Sequence, residues 1–255
     1  MKVLNSSHIS PFGGLNFIIK ELDRLKIGHL LNQQLPQLPN QVKYDWRDLF
    51  YSFWSVIFCG GDCAEDLGNN FKRSLSNNPY LNIPSPDRIL NRMKHISSPT
   101  IAYDTARGDK KHFFSHNDQL NKLNMKMLKR FSTFKRQGVT LDYDNTLIFT
   151  HKADAVTTYL HQRGYVPGVA FIGSHVVYVE NRNGNSDAQT LQQDTLQRMF
   201  ELLKAEKINI NAFRADSASV QVSTLDVISR NVKKLYVRTR MSESLNEAIA
   251  KIDNW

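Results

Sequence analysis

Cysteine is nearly absent: Cys59 and Cys63 are the only two in 255 residues. Two thiols are too few for a disulfide scaffold, and without a second pair they do not make a zinc site. They lie at the end of an apolar run, which reads as core or near-core thiols in a reducing compartment. Long hydrophobic runs are missing too. The longest, Leu49 to Cys59, falls well short of the ~20 residues that span a membrane. The segment Met1–His8 has no apolar stretch of the signal-peptide kind. A soluble, cytoplasmic protein with no membrane partner is expected. The apolar fraction of 41% excludes a disordered composition and supplies a core for one large or two small domains.

Charge is unevenly placed. Residues 1–136 hold 20 Lys/Arg against 11 Asp/Glu, and residues 137–255 hold 13 against 13. The whole surplus of +9 therefore sits in the first half. A basic half suggests a polyanion partner, nucleic acid first, against the plain alternative of solvated surface charge.

That first half reads as helices. Leu15, Ile18, Leu22 and Leu25 recur at helical spacing, with Gly28 and Pro36 as terminators. Asp45 to Cys59, carrying Trp46, Phe50, Phe53 and Trp54, reads as a central helix stopped by Gly60-Gly61. A short helix is expected from Asp62 to about Phe71, then a turn at Asn77-Asn78-Pro79. Ser85-Pro86-Asp87 is an N-terminal cap signal for a helix exposing Arg88, Arg92 and Lys94. Its place after a small helix and a turn is compatible with a helix-turn-helix recognition element, or with an ordinary capped basic helix. Residues 97–116 read as a polar linker. A further helix, Asp118–Phe134, has an apolar stripe (Leu120, Leu123, Met127, Phe131, Phe134) and a basic remainder. Its Lys126 and Arg130 are candidate phosphate contacts.

The second half is organised by Gly138-Val-Thr-Leu-Asp142-Tyr-Asp144-Asn-Thr146-Leu-Ile-Phe-Thr150. The apolar, β-prone residues make it a strand, and Asp142 and Asp144, two apart, share one face. One Asp near a strand end is commonly a turn or cap residue. Two on one face within an apolar strand need a metal ion, a shared proton or a basic partner. Asp-x-Asp-x-Thr opens haloacid dehalogenase-like phosphatases, with Asp142 as nucleophile and Asp144 as acid/base. Asp-x-Thr also opens the catalytic domain of DDE transposases. After a polar stretch, Val169–Ile172 and Val176–Val179 are strands joined by Gly173-Ser174, a hairpin signal. A loop from Glu180 to Asp187 leads to a helix carrying Leu191, Leu196, Met199, Phe200 and Leu203. Then come a strand Ile208–Ala215, a helix Val220–Ser229, a strand Lys234–Arg238 and a last helix Ser242–Ile252. Three strands joined by a hairpin, then alternating helix and strand, describe a ribonuclease H-like α/β domain. The phosphatase class needs a doubly wound sheet and a later Gly-Asp-x-x-x-Asp segment, which is not found.

At this point the sequence resembles an insertion-sequence DDE transposase of the cut-and-paste group, found in bacteria including Bacteroides-like organisms. The residues carrying the resemblance are Asp144-Asn-Thr146, Gly164-Tyr165-x-Pro167, Gly184-Asn185-Ser186 and Arg214-Ala215-Asp216-Ser217, in that order through residues 137–240. The resemblance implies an all-α DNA-binding domain over residues 1–136 and an incomplete ribonuclease H-like catalytic domain over 137–255. It implies Asp144 and Asp216 as catalytic acids and ligands of Mg²⁺ or Mn²⁺, with Asp142 the second choice for the first position. It further implies double-stranded DNA as partner (terminal repeats and target), a homodimer on paired ends, and nucleoid association while bound. The family's third acid is a Glu on a helix, preceded by Tyr and Arg and followed by Lys. Tyr236 and Glu243 match that spacing, but Thr239 and Ala250 stand where Arg and Lys belong, so Glu243 reads as a cap or solvated residue. A C-terminally truncated copy is the resulting expectation. The alternatives are the phosphatase using Asp142 and Asp144, or an inactive DNA-binding remnant.

Overall fold

The computed structural model describes residues 10–104, 111–239 and 241–253. The Met1–His8 segment and residues 105–110 of the expected linker lie outside the described residues. The chain forms two compact units, one of residues up to 98 with 129–131, the other of residues 99–128 with 132–255.

The first unit is helical: α1 (Leu15–Arg24), α2 (Ile27–Gln34), α3 (Trp46–Phe58), a π turn (Leu67–Phe71) running into α4 (Lys72–Leu75), and α5 (Pro86–Lys94). Helix α3 is the hub because it is apolar on most of its circumference, burying Trp46, Leu49, Phe50, Tyr51 and Val56. Its start is fixed by a reciprocal capping box, with Asp45 accepting from Asp48 N–H and Asp48 accepting from Asp45 N–H. Gly28 does not end a helix as expected. Lys26, at φ 54°, makes the break, and Gly28 lies inside α2. A Cβ there would collide with the Arg47 side chain, and its N–H donates to Tyr51 Oη at 3.1 Å. The glycine is a helix-contact residue, not a punctuation mark. Cys59 is half-buried and Cys63 exposed. The near-core expectation fails for Cys63 because it lies past Gly60-Gly61, where the Asp66 carboxylate accepts the N–H groups of Asp62 and Cys63. Helix α5 begins as the sequence reads, with Ser85 as cap and Pro86 in the first turn. Residues 76–85 separate it from α4, a longer connection than the three- to four-residue turn of a helix-turn-helix.

The second unit is a seven-stranded sheet backed by helices. Its strands are β1 (Ile101–Asp104), β2 (Lys111–His116), β3 (Val139–Asn145), β7 (Gly168–Ile172), β8 (His175–Arg182), β9 (Ile210–Ala215) and β10 (Lys234–Val237). The short strands β4 (Ile148–Phe149), β5 (Val156–Thr157) and β6 (Arg163–Tyr165) form a separate small sheet between β3 and β7 in the chain. The main order is β1-β2-β8-β7-β3-β9-β10. Neighbours from β1 through β3 are antiparallel, and β3, β9 and β10 are parallel. Counted from β3, the order is third, second, first, fourth, fifth, the ribonuclease H-like α/β arrangement, with first and fourth strands as neighbours. The antiparallel β7 beside β3 is not the parallel neighbour that a doubly wound phosphatase sheet requires. Helices α6 (Asp118–Leu128), α7 (Gln192–Ala205) and α8 (Val222–Ser229) accompany the sheet, and α9 (Glu243–Ala250) follows β10.

The alternation in β3 decides which face is core. Val139, Leu141 and Tyr143 are buried against Leu196, Met199, Phe200, Phe213 and Ile228, while Thr140, Asp142 and Asp144 take the opposite face. Residues 101–104 and 111–116 form a hairpin where a linker was expected. Its alternation is short and polar, and Tyr103 and Phe114 find their burial through each other and through pairing of β2 with β8. Helix α6 guards the part of β8 that β2 does not reach. Asn121 accepts from Val179 N–H and donates to Val179 C=O, both at 3.0 Å, as a neighbouring strand would.

Candidate active site

Two of the sequence-predicted acids, Asp144 and Asp216, stand at the carboxyl ends of neighbouring strands. Asp142 pairs in register with Arg214, and Tyr143 with Ala215. Asp144, within β3, and Asp216, the first residue past the end of β9, each follow that last registered pair, at the C-terminal ends of two adjacent parallel strands. Both are exposed. Asp144 Oδ1 accepts the N–H of Asn145 at 2.8 Å. Asp216 Oδ1 accepts that of Ala218 at 3.0 Å, capping the 3₁₀ turn Ser217–Ser219. Among the described residues the second oxygen of each carboxylate has no protein partner. The crevice beyond the carboxyl ends of parallel strands is the usual ligand position in open α/β sheets.

Asp142 is occupied otherwise. The Arg214 guanidinium grips it with both prongs, Nε to Oδ1 at 2.5 Å and Nη2 to Oδ2 at 2.8 Å, and the pairing holds the Arg214 pKa above its ordinary value. Of the three neutralising devices the strand called for, a basic partner serves Asp142.

Behind β3 lies a network the sequence reading missed, because Glu180–Arg182 looked like a polar loop. Strand β8 runs through both residues and buries them, at 1% exposure each. Glu180 accepts from Arg198 Nε at 2.7 Å and Nη2 at 2.9 Å, from Tyr178 Oη at 2.6 Å and from Thr195 Oγ1 at 2.6 Å. Arg182 donates to Thr195 Oγ1 at 2.7 Å and to Tyr143 Oη at 3.3 Å. Tyr143 stands between Asp142 and Asp144, so the network ties the acid-bearing strand to β8 and α7. Gly168 leaves room for it, since a Cβ there would strike the Tyr143 hydroxyl and Arg182 Nη1. Gly168→Ala is expected to cost about 1–3 kcal/mol through overpacking, read as a lowered denaturation midpoint at unchanged slope in urea. The only sequence signal for this network was Gly168 in Gly164-Tyr165-Val166-Pro167-Gly168, which marks close backbone approach without saying to what.

The candidate DNA contacts are spread. Arg88 and Lys94 are exposed and Arg92 half-buried on α5, whose buried residue is Ile89. Arg88 and Arg92 line a groove of about 250 Å³ with Ser85, Asp87, Asn91 and His95. Arg130, in the same unit, donates to Leu25 C=O beyond the end of α1 at 3.4 Å. Lys126 belongs to the sheet unit. Glu243 is exposed in the first turn of α9, where Ser242 does the capping, and Tyr236 is exposed on the outer strand β10. Among the described residues no three carboxylates, imidazoles or thiolates gather closely enough to hold a metal by themselves, and no helix is long and apolar enough to cross a membrane.

The donor set of Asp144 and Asp216 fits a hard cation nonetheless. Mg²⁺ commonly takes one or two carboxylates and fills its remaining positions with water and substrate phosphate.

Three solved transposase structures are similar at low identity. They are the Drosophila P element transposase strand transfer complex (10% identity, TM-score 0.35, 84% of this chain and 42% of that one), the piggyBac transposase synaptic complex with hairpin DNA (12%, 0.40, 94% and 52%), and the Mos1 transposase paired-end complex with left transposon end (12%, 0.30, 97% and 90%). The chain thus spans about half or less of the length of the first two. No curated protein matches it. A family model described as the transposase DDE domain, group 1, matches residues 4–254, and with that match over nearly the whole sequence the chain belongs to the DDE transposase family, a divalent-metal-dependent group.

Proposed function

We propose that this chain serves DNA transposition, cutting strands at insertion-sequence ends and joining them to target DNA, with Asp144 and Asp216 as metal-holding catalytic acids. The observation that supports the reading is the register of β3 against β9, which runs to Tyr143 and Ala215, the residues just before these two exposed carboxylates, while Asp142 is already paired with Arg214. Mg²⁺ or Mn²⁺ would supply activation of the attacking oxygen and stabilisation of the leaving one in an in-line displacement at phosphorus. The chain's own part is to hold the two carboxylates at fixed strand ends. Tyr143, hydrogen-bonded by Arg182, anchors the strand backbone that carries Asp144.

In this reading residues 1–136 are the DNA-binding region, not all-α because β1 and β2 of the sheet unit fall within it, and residues from 137 are the catalytic region. Arg88, Arg92 and Lys94 on α5, with Lys126 and Arg130, give affinity without sequence information. Double-stranded terminal repeats and target DNA are the partners, two copies on paired ends the assembly, and the bacterial cytoplasm at the nucleoid the place of action.

Iron tests the metal site directly. With Fe²⁺, ascorbate and peroxide, radicals cut the polypeptide near a bound ion. Cuts are expected next to residues 144 and 216, suppressed by excess Mn²⁺ and lost in Asp144→Asn and Asp216→Asn. Cuts confined to other positions, or persisting in both variants, would remove the reading.

A further inference from the structure

A groove of about 560 Å³ opens on the acid-bearing face, lined by Lys135, Thr140, Asp142, Ser174, His175 and Arg214 among others. It begins one side-chain step from Asp144, since Thr140, Asp142 and Asp144 alternate onto the same face of β3. Asp142 is the sole acid lining it, against two full cations and an imidazole. Lys135 is exposed, and the Arg214 side chain is 60% exposed while its fork is spent on Asp142. The Gly173-Ser174 turn of the β7–β8 hairpin, with Gly173 at φ 61°, forms the far wall. Nothing in the family assignment or in the metal site accounts for this groove.

We propose that the groove is a binding site for a DNA backbone phosphate flanking the cleavage point, and that Asp142 holds its arginine in reserve. In the free protein the carboxylate occupies both prongs of Arg214. On DNA binding a phosphate replaces the carboxylate, because two parallel N–H donors suit both anions equally and a solvent-exposed ion pair contributes little that must be given up. Lys135 adds a point charge, and the Thr140 and Ser174 hydroxyls offer further donors. Asp142 thereby lowers affinity for stray polyanions without touching the metal. The proposal rests on the transposase reading for its ligand, but not on Asp144 or Asp216 binding metal.

The test is fluorescence anisotropy of a labelled 30-base-pair duplex of arbitrary sequence, because phosphate contacts carry no sequence information. Affinity is measured across salt concentrations with the whole chain. Arg214→Ala and Lys135→Ala are each expected to weaken binding about 3- to 10-fold and to lower the slope of log affinity against log salt by about 0.9, the value for one phosphate contact. Asp142→Asn is expected to tighten binding about threefold by releasing Arg214. Lys204→Ala, the same charge change on the exposed side of α7, controls for general electrostatics and is expected to change affinity less than about twofold. Binding by Arg214→Ala no weaker than by Lys204→Ala, or Asp142→Asn binding unchanged or weakened, overturns the proposal. Retained Mn²⁺ binding with these groove effects missing leaves the metal site standing and removes the groove alone. Groove effects with no metal at Asp144 and Asp216 do the reverse.

Discussion

Asp144→Ala and Asp216→Ala are each expected to lower Mn²⁺-dependent nicking of plasmid DNA carrying the element's terminal repeats by about 10³-fold or more, and the double variant to be no worse. Groups that share one task lose nearly all of it when either is removed, so the effects do not add. Neither substitution is expected to unfold the protein. Both side chains are exposed, and exposed positions without a structural partner usually change stability by less than about 0.5 kcal/mol. Asp216 is the exception in one respect, because it caps the Ser217–Ser219 turn and Ala there costs about 1 kcal/mol. Asp216→Asn keeps the capping oxygen and removes the charge, so it separates the two roles. Asp144→Glu keeps the charge and displaces it, and a misplacement of about 1 Å can cost about 10²-fold. Equal loss of nicking and of Mn²⁺ affinity in Asp142→Asn, with Asp144→Ala still active, would move the first acid to position 142.

Why the strands that carry or precede Asp144 and Asp216 could be read from residues alone, and the scaffold behind them could not, follows from what each leaves in the sequence. The alternation Val139, Leu141, Tyr143 against Thr140, Asp142, Asp144 is a period-two pattern with charge on one side, and it survives as β3. The Gly173-Ser174 pair sits where a two-residue hairpin needs a positive φ, and β7 and β8 form around it. Arg214-Ala-Asp216-Ser217 closes a clear apolar run, which becomes β9. Glu180 and Arg182 carry the opposite signal. Charged residues next to Asn-Gly-Asn read as a loop, and only the distant partners Arg198, Thr195 and Tyr143 let a strand bury them. The β1–β2 hairpin was illegible for a related reason, since its residues are polar in alternation and its burial comes from β8, more than sixty positions away. Gly28 misled in the other direction. A glycine after an apolar helix signals a stop, yet here the absent side chain admits Arg47 and Tyr51 from α3.

The buried network gives the largest stability effect, and its members are not equivalent. Glu180 is the single carboxylate for two guanidinium groups, one bound directly and one through Thr195. Glu180→Ala is therefore expected to destabilise the sheet unit by about 3–5 kcal/mol, the cost of leaving buried charge uncompensated, which is a large share of the roughly 5–15 kcal/mol that holds a domain together. Arg182→Met should cost less. Arg182 touches only hydroxyls, its Nε has no hydrogen-bond partner among the described residues, and its removal leaves Glu180 still gripped by Arg198. The order Glu180→Ala worse than Arg182→Met, read by urea denaturation at pH 7, checks the assignment of Glu180 as the hub, and the reverse order refutes it. Acid gives a second check. Burial pushes the Glu180 carboxyl up, but the hydrogen bonds from Arg198, Thr195 and Tyr178 outweigh it and leave the folded-state pKa below the ordinary value. A depressed folded-state pKa means that the unfolded chain binds the proton first, so this stabilisation is complete above the ordinary Glu pKa of about 4.3 and falls away as pH drops through the folded value. Glu180→Gln keeps the shape and cannot titrate. Its stability loss relative to the parent is expected to be greatest at pH 6–7 and to shrink steadily below about pH 4, whereas a constant difference across that range would show that Glu180 is not the group titrating.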